Sequence, residues 1–189
     1  VVLPLAAVAL TSLMPTWGRL DGLTFKHWGA VLANARTLEA GGRSLWLSAL
    51  AAVGVTAFGL AVALVQRQGS RPGRAAAVLA SWPYAVPGTV LALGLLVAFS
   101  RDLRLVLFDR VALVLALGNT VWLLLLAWTV KHLAFGVRNS SEGLARIDGS
   151  LPESARVFGA TPGRAFLDAT LPQLKAPLAA AFTLTFLTC

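Results

Sequence analysis

Uncharged apolar runs alternate along this chain with short polar segments rich in basic residues. No Asp, Glu, Lys or Arg occurs between Arg43 and Arg67, between Arg74 and Arg101, or between Arg110 and Lys131. Each interval is close to the ~20 residues that an α-helix needs to cross a bilayer. Two further apolar runs open the chain (1–16) and end it (176–189). The pattern predicts an all-α fold, a polytopic transmembrane helical bundle forming one domain over 1–189, with spans at 1–16, 44–65, 75–99, 111–130 and 176–189. Ser44 is placed to cap the second span. The fourth holds eleven Val and Leu residues. At roughly −0.3 to −0.6 kcal/mol each they contribute about −3 to −6 kcal/mol to insertion, enough to outweigh Gly118 and Asn119.

The segments between spans are expected to be a loop at 17–42, a tight turn at 66–74, a loop at 100–110, and a helical extension leaving the membrane over 131–146. Trp17 and Trp28 suit the interface, where the indole sits at headgroup level. Both ends fall inside apolar runs, and the chain is expected to be a fragment truncated at each. The opening run has no basic region before it, unlike a signal peptide.

Composition agrees with the pattern: 57% of residues are hydrophobic and 13% charged, against a charged share of about 25% in soluble domains. The net charge of +8 could suggest nucleic acid. The basic residues flank the apolar runs, however, where they reach lipid headgroups and set orientation. Nine lie in 66–74 and 131–175, against seven in 17–43 and 100–110. The count puts the first pair of segments in the cytoplasm, and the start of the chain with them. Cys189 has no partner for an internal disulfide and reads as a small apolar filler.

The polar segment 148–174 carries the densest local signals. Ser150-Leu151-Pro152-Glu153 has capping-box spacing: the Ser150 hydroxyl would accept from the Glu153 amide, and Glu153 would reach back. Leu151, Ala155 and Phe158 recur at helical spacing, and Gly159 suits a left-handed helix stop. Thr161-Pro162 starts a second helix, with Ala165, Phe166 and Ala169 as its apolar side. Leu171-Pro172 is expected to turn the chain back to the membrane. Two plainer readings fit a helix, Gly turn and helix: an amphipathic connector on the membrane surface, or a DNA-reading helix-turn-helix with Arg156 and Arg164 on phosphate. Spans on both sides hinder the latter.

Glu153-Ser154-Ala155, Gly159 and Leu171-Pro172 stand in the register of the Glu-Ala-Ala signature of ATP-binding-cassette (ABC) importer permeases: three residues to Gly, nine to an aliphatic residue, one to Leu-Pro. Ser154 replaces the usual Ala, and Ala169 the usual Ile. The chain resembles these permeases over roughly residues 43–189. Pro83-Tyr84-Ala85-Val86-Pro87-Gly88-Thr89-Val90-Leu91-Ala92, with Arg146-Ile147-Asp148, is similar to their ferric-iron branch, and to the second of its two fused halves. Thiamine and phosphonate importers share much of it.

The resemblance implies an inner-membrane transport subunit with ferric iron as best-guess cargo. Its partners would be cytoplasmic ATP-binding subunits, an external solute-binding protein, a second permease half (fused or homodimeric) and membrane lipid, with no nucleic acid. The ATPase-coupling interface would comprise Glu153, Ser154, Ala155, Phe158, Gly159, Ala160, Thr161, Pro162, Arg164, Leu171 and Pro172. Small residues at 155, 159 and 160 would let the loop sit deep in a partner groove, and Phe158 and Phe166 would anchor it. No cofactor is expected on this chain; ATP would be used by the partner subunits.

Trp82–Thr89 places two prolines and a glycine within an expected span. Such a break is tolerated where neighbours or a water-lined cavity satisfy the freed carbonyls. Tyr84, Pro87, Gly88 and Thr89 are therefore candidate pathway residues, while a packing kink fits the same residues. No phosphate loop, metal-ligand cluster or Ser-His-Asp grouping is present, and His132 reads as interfacial. The expectation is a transport subunit rather than an enzyme. An ion-gradient-driven secondary transporter would want ionisable groups inside its spans, and the uncharged intervals hold none. A non-transporting scaffold would keep the loop without ATPase partners.

Overall fold

A computed structural model describes residues 2–16, 18, 22–101, 103–107, 110–118 and 120–189. Trp17 and Asn119 lie outside the described residues. The chain divides into two compact units, Val1–Trp46 and Leu47–Cys189.

In the first unit, α1 (Val2–Leu13) and α2 (Lys26–Ala33) are joined side chain to side chain and side chain to backbone. Trp28 Nε1 donates to Ser12 Oγ at 3.2 Å, and His27 Nε2 lies 3.1 Å from the Met14 carbonyl. The expected loop at 17–42 is thus largely helical. The next helix, α3, runs Ala35–Arg67, so Ser44 is an interior residue and not a cap. Asn34 fills that role, its Oδ1 accepting from the Arg36 amide at 3.0 Å. Good helix formers follow, and Glu39 pairs with Arg43 one turn on at 2.6 Å.

The second unit contains the rest of α3, then α4 (Arg71–Ala85), α5 (Gly88–Ala98), a hairpin of β1 (Leu103–Leu107) and β2 (Arg110–Leu115), α6 (Val121–Ala145), α7 (Ser150–Val157), α8 (Pro162–Ala165) and α9 (Lys175–Thr188). The turn expected at 66–74 is shorter, because Ser70 caps α4 by accepting from the Gly73 amide at 3.2 Å. The hairpin corrects the expected fourth span. Leu103 pairs with Leu115 and Leu107 with Arg110, and the helix begins at Val121 rather than Val111. Two aliphatic segments containing β-branched Val, separated by two residues, favour antiparallel pairing there.

Among the described residues, two helices are long and apolar enough to cross a membrane, α3 with 33 residues and α6 with 25. Helices α4 and α5 meet those criteria only as a pair, bent by 107°. A bend this sharp is that of a broken span or a re-entrant loop. Ala77 and Ala80 in the middle of α4 form one buried cluster with Val137 of α6, and Phe99, past the end of α5, lies against Gly118 just before α6.

Helix α6 is the hub of this unit. Gly136, Ser140 and Gly143 lie buried on it at one-turn spacing, as do Ser48, Ala52, Val55, Gly59 and Ala63 on α3. Gly59 and Gly136 bring the two backbones so close that a Cβ on either would run into the backbone of the other helix. Such small-residue contacts are how helices associate in lipid, where apolar burial supplies little net drive. Further along α6, Gly143 packs on Pro177 and Leu174, while Cys189 Sγ lies 3.6 Å from His132 Nδ1, so α9 runs antiparallel to α6. Ala63, Leu144, Ile147 and Leu174 close the core at the loop end. There Ser141 Oγ donates to Gln66 Oε1 (2.9 Å) and Arg67 Nη2 to the Ile147 carbonyl (3.4 Å). The 66–70 turn and the start of the 148–174 loop thus lie at the same end of the bundle.

Candidate functional site

The loop is built on caps, though not the expected capping box. Helix α7 begins at Ser150 itself, and the Ser150 hydroxyl makes no cap. Asp148 Oδ1 accepts from the Ser150 amide at 3.0 Å, and Ser154 Oγ donates to the Ser150 carbonyl at 2.7 Å. Hydrogen bonds from the Ser150 amide, then from its hydroxyl, hold the Asp148 carboxyl below the usual aspartate range. The box fails because Asp148 lies two residues before the free amide and reaches it first, in the manner of an Asx turn.

At the other end Gly159 adopts φ +87°. Its amide donates to the Arg156 carbonyl (3.0 Å), and the Ala160 amide to the Ala155 carbonyl (3.0 Å). This pair of bonds is a Schellman stop, which satisfies carbonyls that the helix end leaves open. One residue on, Thr161 Oγ1 accepts from the Arg164 amide at 3.4 Å, with Pro162 in the first turn of α8.

Leu171-Pro172 does not turn the chain back. Helical backbone continues through a π turn (Phe166–Thr170) and a 3₁₀ turn (Leu171–Leu174) into α9. Pro172 has no amide to give, and its ring crowds the carbonyl four residues earlier; widening the preceding turn accommodates both.

The two aromatic anchors separate. Phe166 packs on the Ala63–Leu144–Ile147–Leu174 core and belongs to the fold. Phe158 is 90% exposed and Val157 84% exposed, held out at the Schellman stop. Around them Glu153, Ser154, Arg156, Gly159, Thr161, Pro162, Arg164 and Pro172 are exposed, while Ala155, Ala160 and Leu171 are half-buried. Glu153, Arg156, Val157, Ala160 and Pro162 line a shallow concavity. The loop presents an apolar tip between an acid and basic side chains, on backbone that capping has made stiff.

The second feature is the break between α4 and α5. Pro87 cannot donate to the Pro83 carbonyl, which accepts from the Val86 amide instead (3.3 Å), and extended Val86 (ψ 131°) takes its own carbonyl out of the helix. Lys131 Nζ fills the gap, donating to the carbonyls of Tyr84 (3.2 Å), Pro83 (3.5 Å) and Val86. The ammonium also lies 5.6 Å from the Tyr84 ring, which meets Phe135 edge-on at 5.2 Å. Tyr84, Pro87, Gly88 and Thr89 are all exposed at this break.

The sequence places Lys131 at the end of a span with a helical extension beyond it, and α6 runs on through Lys131 to Ala145; what the sequence does not reveal is its carbonyl partners. The apolar residues Leu133, Phe135 and Val137 beyond it carry the signal that the helix continues. Among the described residues, no group of three His, Cys, Asp or Glu side chains comes together.

Comparison with known proteins bears on this arrangement. The family model for the binding-protein-dependent transport system inner membrane component matches residues 54–188. The chain belongs to that family. The match runs from within α3 to the end of α9 and takes in the helix break and the loop, and it classes the chain as a transport permease of the inner membrane rather than an enzyme. A protein named for 2-aminoethylphosphonate transport, the permease PhnV of Salmonella typhimurium (strain LT2), is 31% identical over 186 residues, which are 97% of this chain and 66% of that one. The putrescine transport system permease protein PotI of Escherichia coli (strain K12) is 27% identical over 185 residues, 93% of this chain and 60% of its own. The chain thus spans somewhat under two thirds of the length of these relatives.

Proposed function

We propose that this permease is the membrane-spanning subunit of an ATP-driven importer, and that its 148–174 loop is where cytoplasmic ATP-binding subunits take hold. The observation that carries this reading is the pairing of Val157 and Phe158, almost wholly exposed at a stiff, capped turn, within the stretch that the family model matches. An exposed aromatic held rigid on a polar rim is the kind of residue that dominates interface energetics. An external solute-binding protein delivers the cargo, and a second permease half completes the pore. ATP is bound and hydrolysed by the partner subunits, and this chain carries no cofactor.

The cargo is a small polar solute. Similarity of Pro83–Ala92 and Arg146–Asp148 to the ferric-iron branch favours iron. The relatives that match along nearly the whole chain are named for 2-aminoethylphosphonate and putrescine, and 2-aminoethylphosphonate is the reading that competes. Uptake of labelled ferric iron and of labelled 2-aminoethylphosphonate by cells expressing the complete system separates the two.

The coupling role is tested by purifying the full-length protein from its membranes with whatever accompanies it, beside a Glu153→Arg, Gly159→Asp double variant. Asp tolerates a positive φ better than most residues, and the space around Gly159 is open, so the variant is expected to insert and fold. The expected result is a Walker-motif ATPase with the wild type, lost from the variant together with uptake. No ATPase in either sample refutes the reading. It would then favour an ion-gradient-driven transporter if uptake persists without ATP, and a scaffold if there is none.

A further inference from the structure

We infer that Lys131 is a positioning residue for transport, a tie that makes the break between α4 and α5 follow α6 and, through α6, the loop. The inference rests on the importer reading above. Three observations carry it.

First, the lysine is fully used. An ammonium has three N–H donors and no acceptor, and three backbone carbonyls, those of Pro83, Tyr84 and Val86, receive them. A carbonyl freed by a helix break and shielded from water is costly if left unpaired, and an ammonium partly withdrawn from water is itself costly unless it is paired. Each half answers the other's need, so separating them is doubly unfavourable. Since every donor is engaged, the group is not set up to bind cargo or to carry a coupling ion.

Second, the tie joins the sharp bend between α4 and α5 to the hub helix. Helix α6 is unbroken from Val121 to Ala145, and its far end is bound into the core that also holds Phe166 of the loop. A displacement at α7 is thereby delivered along α6 to the level of Lys131. Third, the residues around the tie suit repeated use. Pro83, Pro87 and Gly88 already interrupt the backbone hydrogen bonds, so a change in the 107° angle breaks no regular helix. The Tyr84 ring, flanked by the ammonium and Phe135, moves with it.

The test uses the full-length permease with its ATPase subunits and binding protein in liposomes. Lys131→Met keeps the length and apolar stem of the side chain and removes the donors; Lys131→Arg keeps both charge and donors. The expected result for Lys131→Met is at least a tenfold fall in solute moved per ATP hydrolysed, with ATP hydrolysis itself persisting, and substantial recovery in Lys131→Arg. Equal transport per ATP in Lys131→Met and wild type overturns the inference. Wild type that hydrolyses no ATP, or whose uptake ignores ATP, instead overturns the importer reading.

A second measurement needs no change at Lys131. Spin labels at Trp82→Cys and Leu124→Cys, with Cys189→Ser, report the separation of α4 from α6. A distance that holds through the nucleotide cycle while a Leu79→Cys, Leu93→Cys pair across the bend changes supports the tie. A distance between α4 and α6 that changes on ATP binding overturns it, even if Lys131→Met does not fold.

Discussion

A single carboxylate at the right offset changes how a helix starts. Ser150 and Glu153 have the spacing of a capping box, yet Asp148 takes the Ser150 amide and the box does not form. The consequence for pH follows from sign. The hydrogen bonds depress the Asp148 pKa in the folded loop, so the carboxylate's contribution is complete above the unfolded value, near 4, and is lost as pH falls through the lower folded value. Hydrogen exchange of amides 150–153, corrected for intrinsic rates, is expected to be steady down to about pH 5 and to speed up as the pH falls below about 4, the ordinary aspartate value. Asp148→Ala is expected to show faster exchange already at the higher pH and no such transition. An unchanged profile in that variant would show that the cap lies elsewhere. Lys131 makes the complementary point: a residue's place in the chain did not reveal its partners, because three carbonyls from a helix 45 to 48 residues away decide its environment.

Between elements, the contact that most constrains the bundle is the crossing of α3 and α6 at Gly59 and Gly136. A Cβ at Gly136 would collide with the Val55 carbonyl, and one at Gly59 with the Gly136 backbone. Neither obstacle is a flexible side chain that could move aside. Overpacking of a well-packed contact costs about 1–3 kcal/mol and more where backbone must shift. Gly136→Leu is therefore expected to lower the Tm of the detergent-purified protein by several degrees or abolish its recovery. Gly163→Ala, in the loop with open space around it, is expected to leave Tm within experimental scatter. Equal Tm values for the two would mean that the helices do not cross closely at Gly136. The sequence pattern already contains this crossing as small residues at one-turn spacing on both helices, but the same spacing marks any close helix contact and names no partner.

For the whole molecule, orientation has a better footing than counting charges. The basic excess of nine over seven is slight. The bonds from Ser141 to Gln66 and from Arg67 to Ile147 put the 66–70 turn and the loop at one end, whichever face of the membrane that is. On the proposed ATPase role of the loop, that end would be the cytoplasmic one. Val157→Cys, in a Cys189→Ser background, is expected to react with a membrane-impermeant maleimide in inside-out vesicles and not in intact cells. The reverse labelling would invert the topology and remove the loop from ATP coupling.

Periodicity and charge were sufficient for a helical membrane bundle, and the Glu153-to-Pro172 spacing for its family, because both are local: insertion depends on runs of apolar residues, and a cap on its near neighbours. Gly159 and Thr161 behave as their local chemistry requires for the same reason. The hairpin that displaces the start of α6 depends on pairing between two segments, and the choice of Phe158 rather than Phe166 as the free anchor depends on a core assembled from α3, α6 and the loop. The seating of Lys131 on a broken helix depends on carbonyls freed by two prolines far away in the chain. These outcomes turn on which surfaces meet, and that is a property of the folded packing.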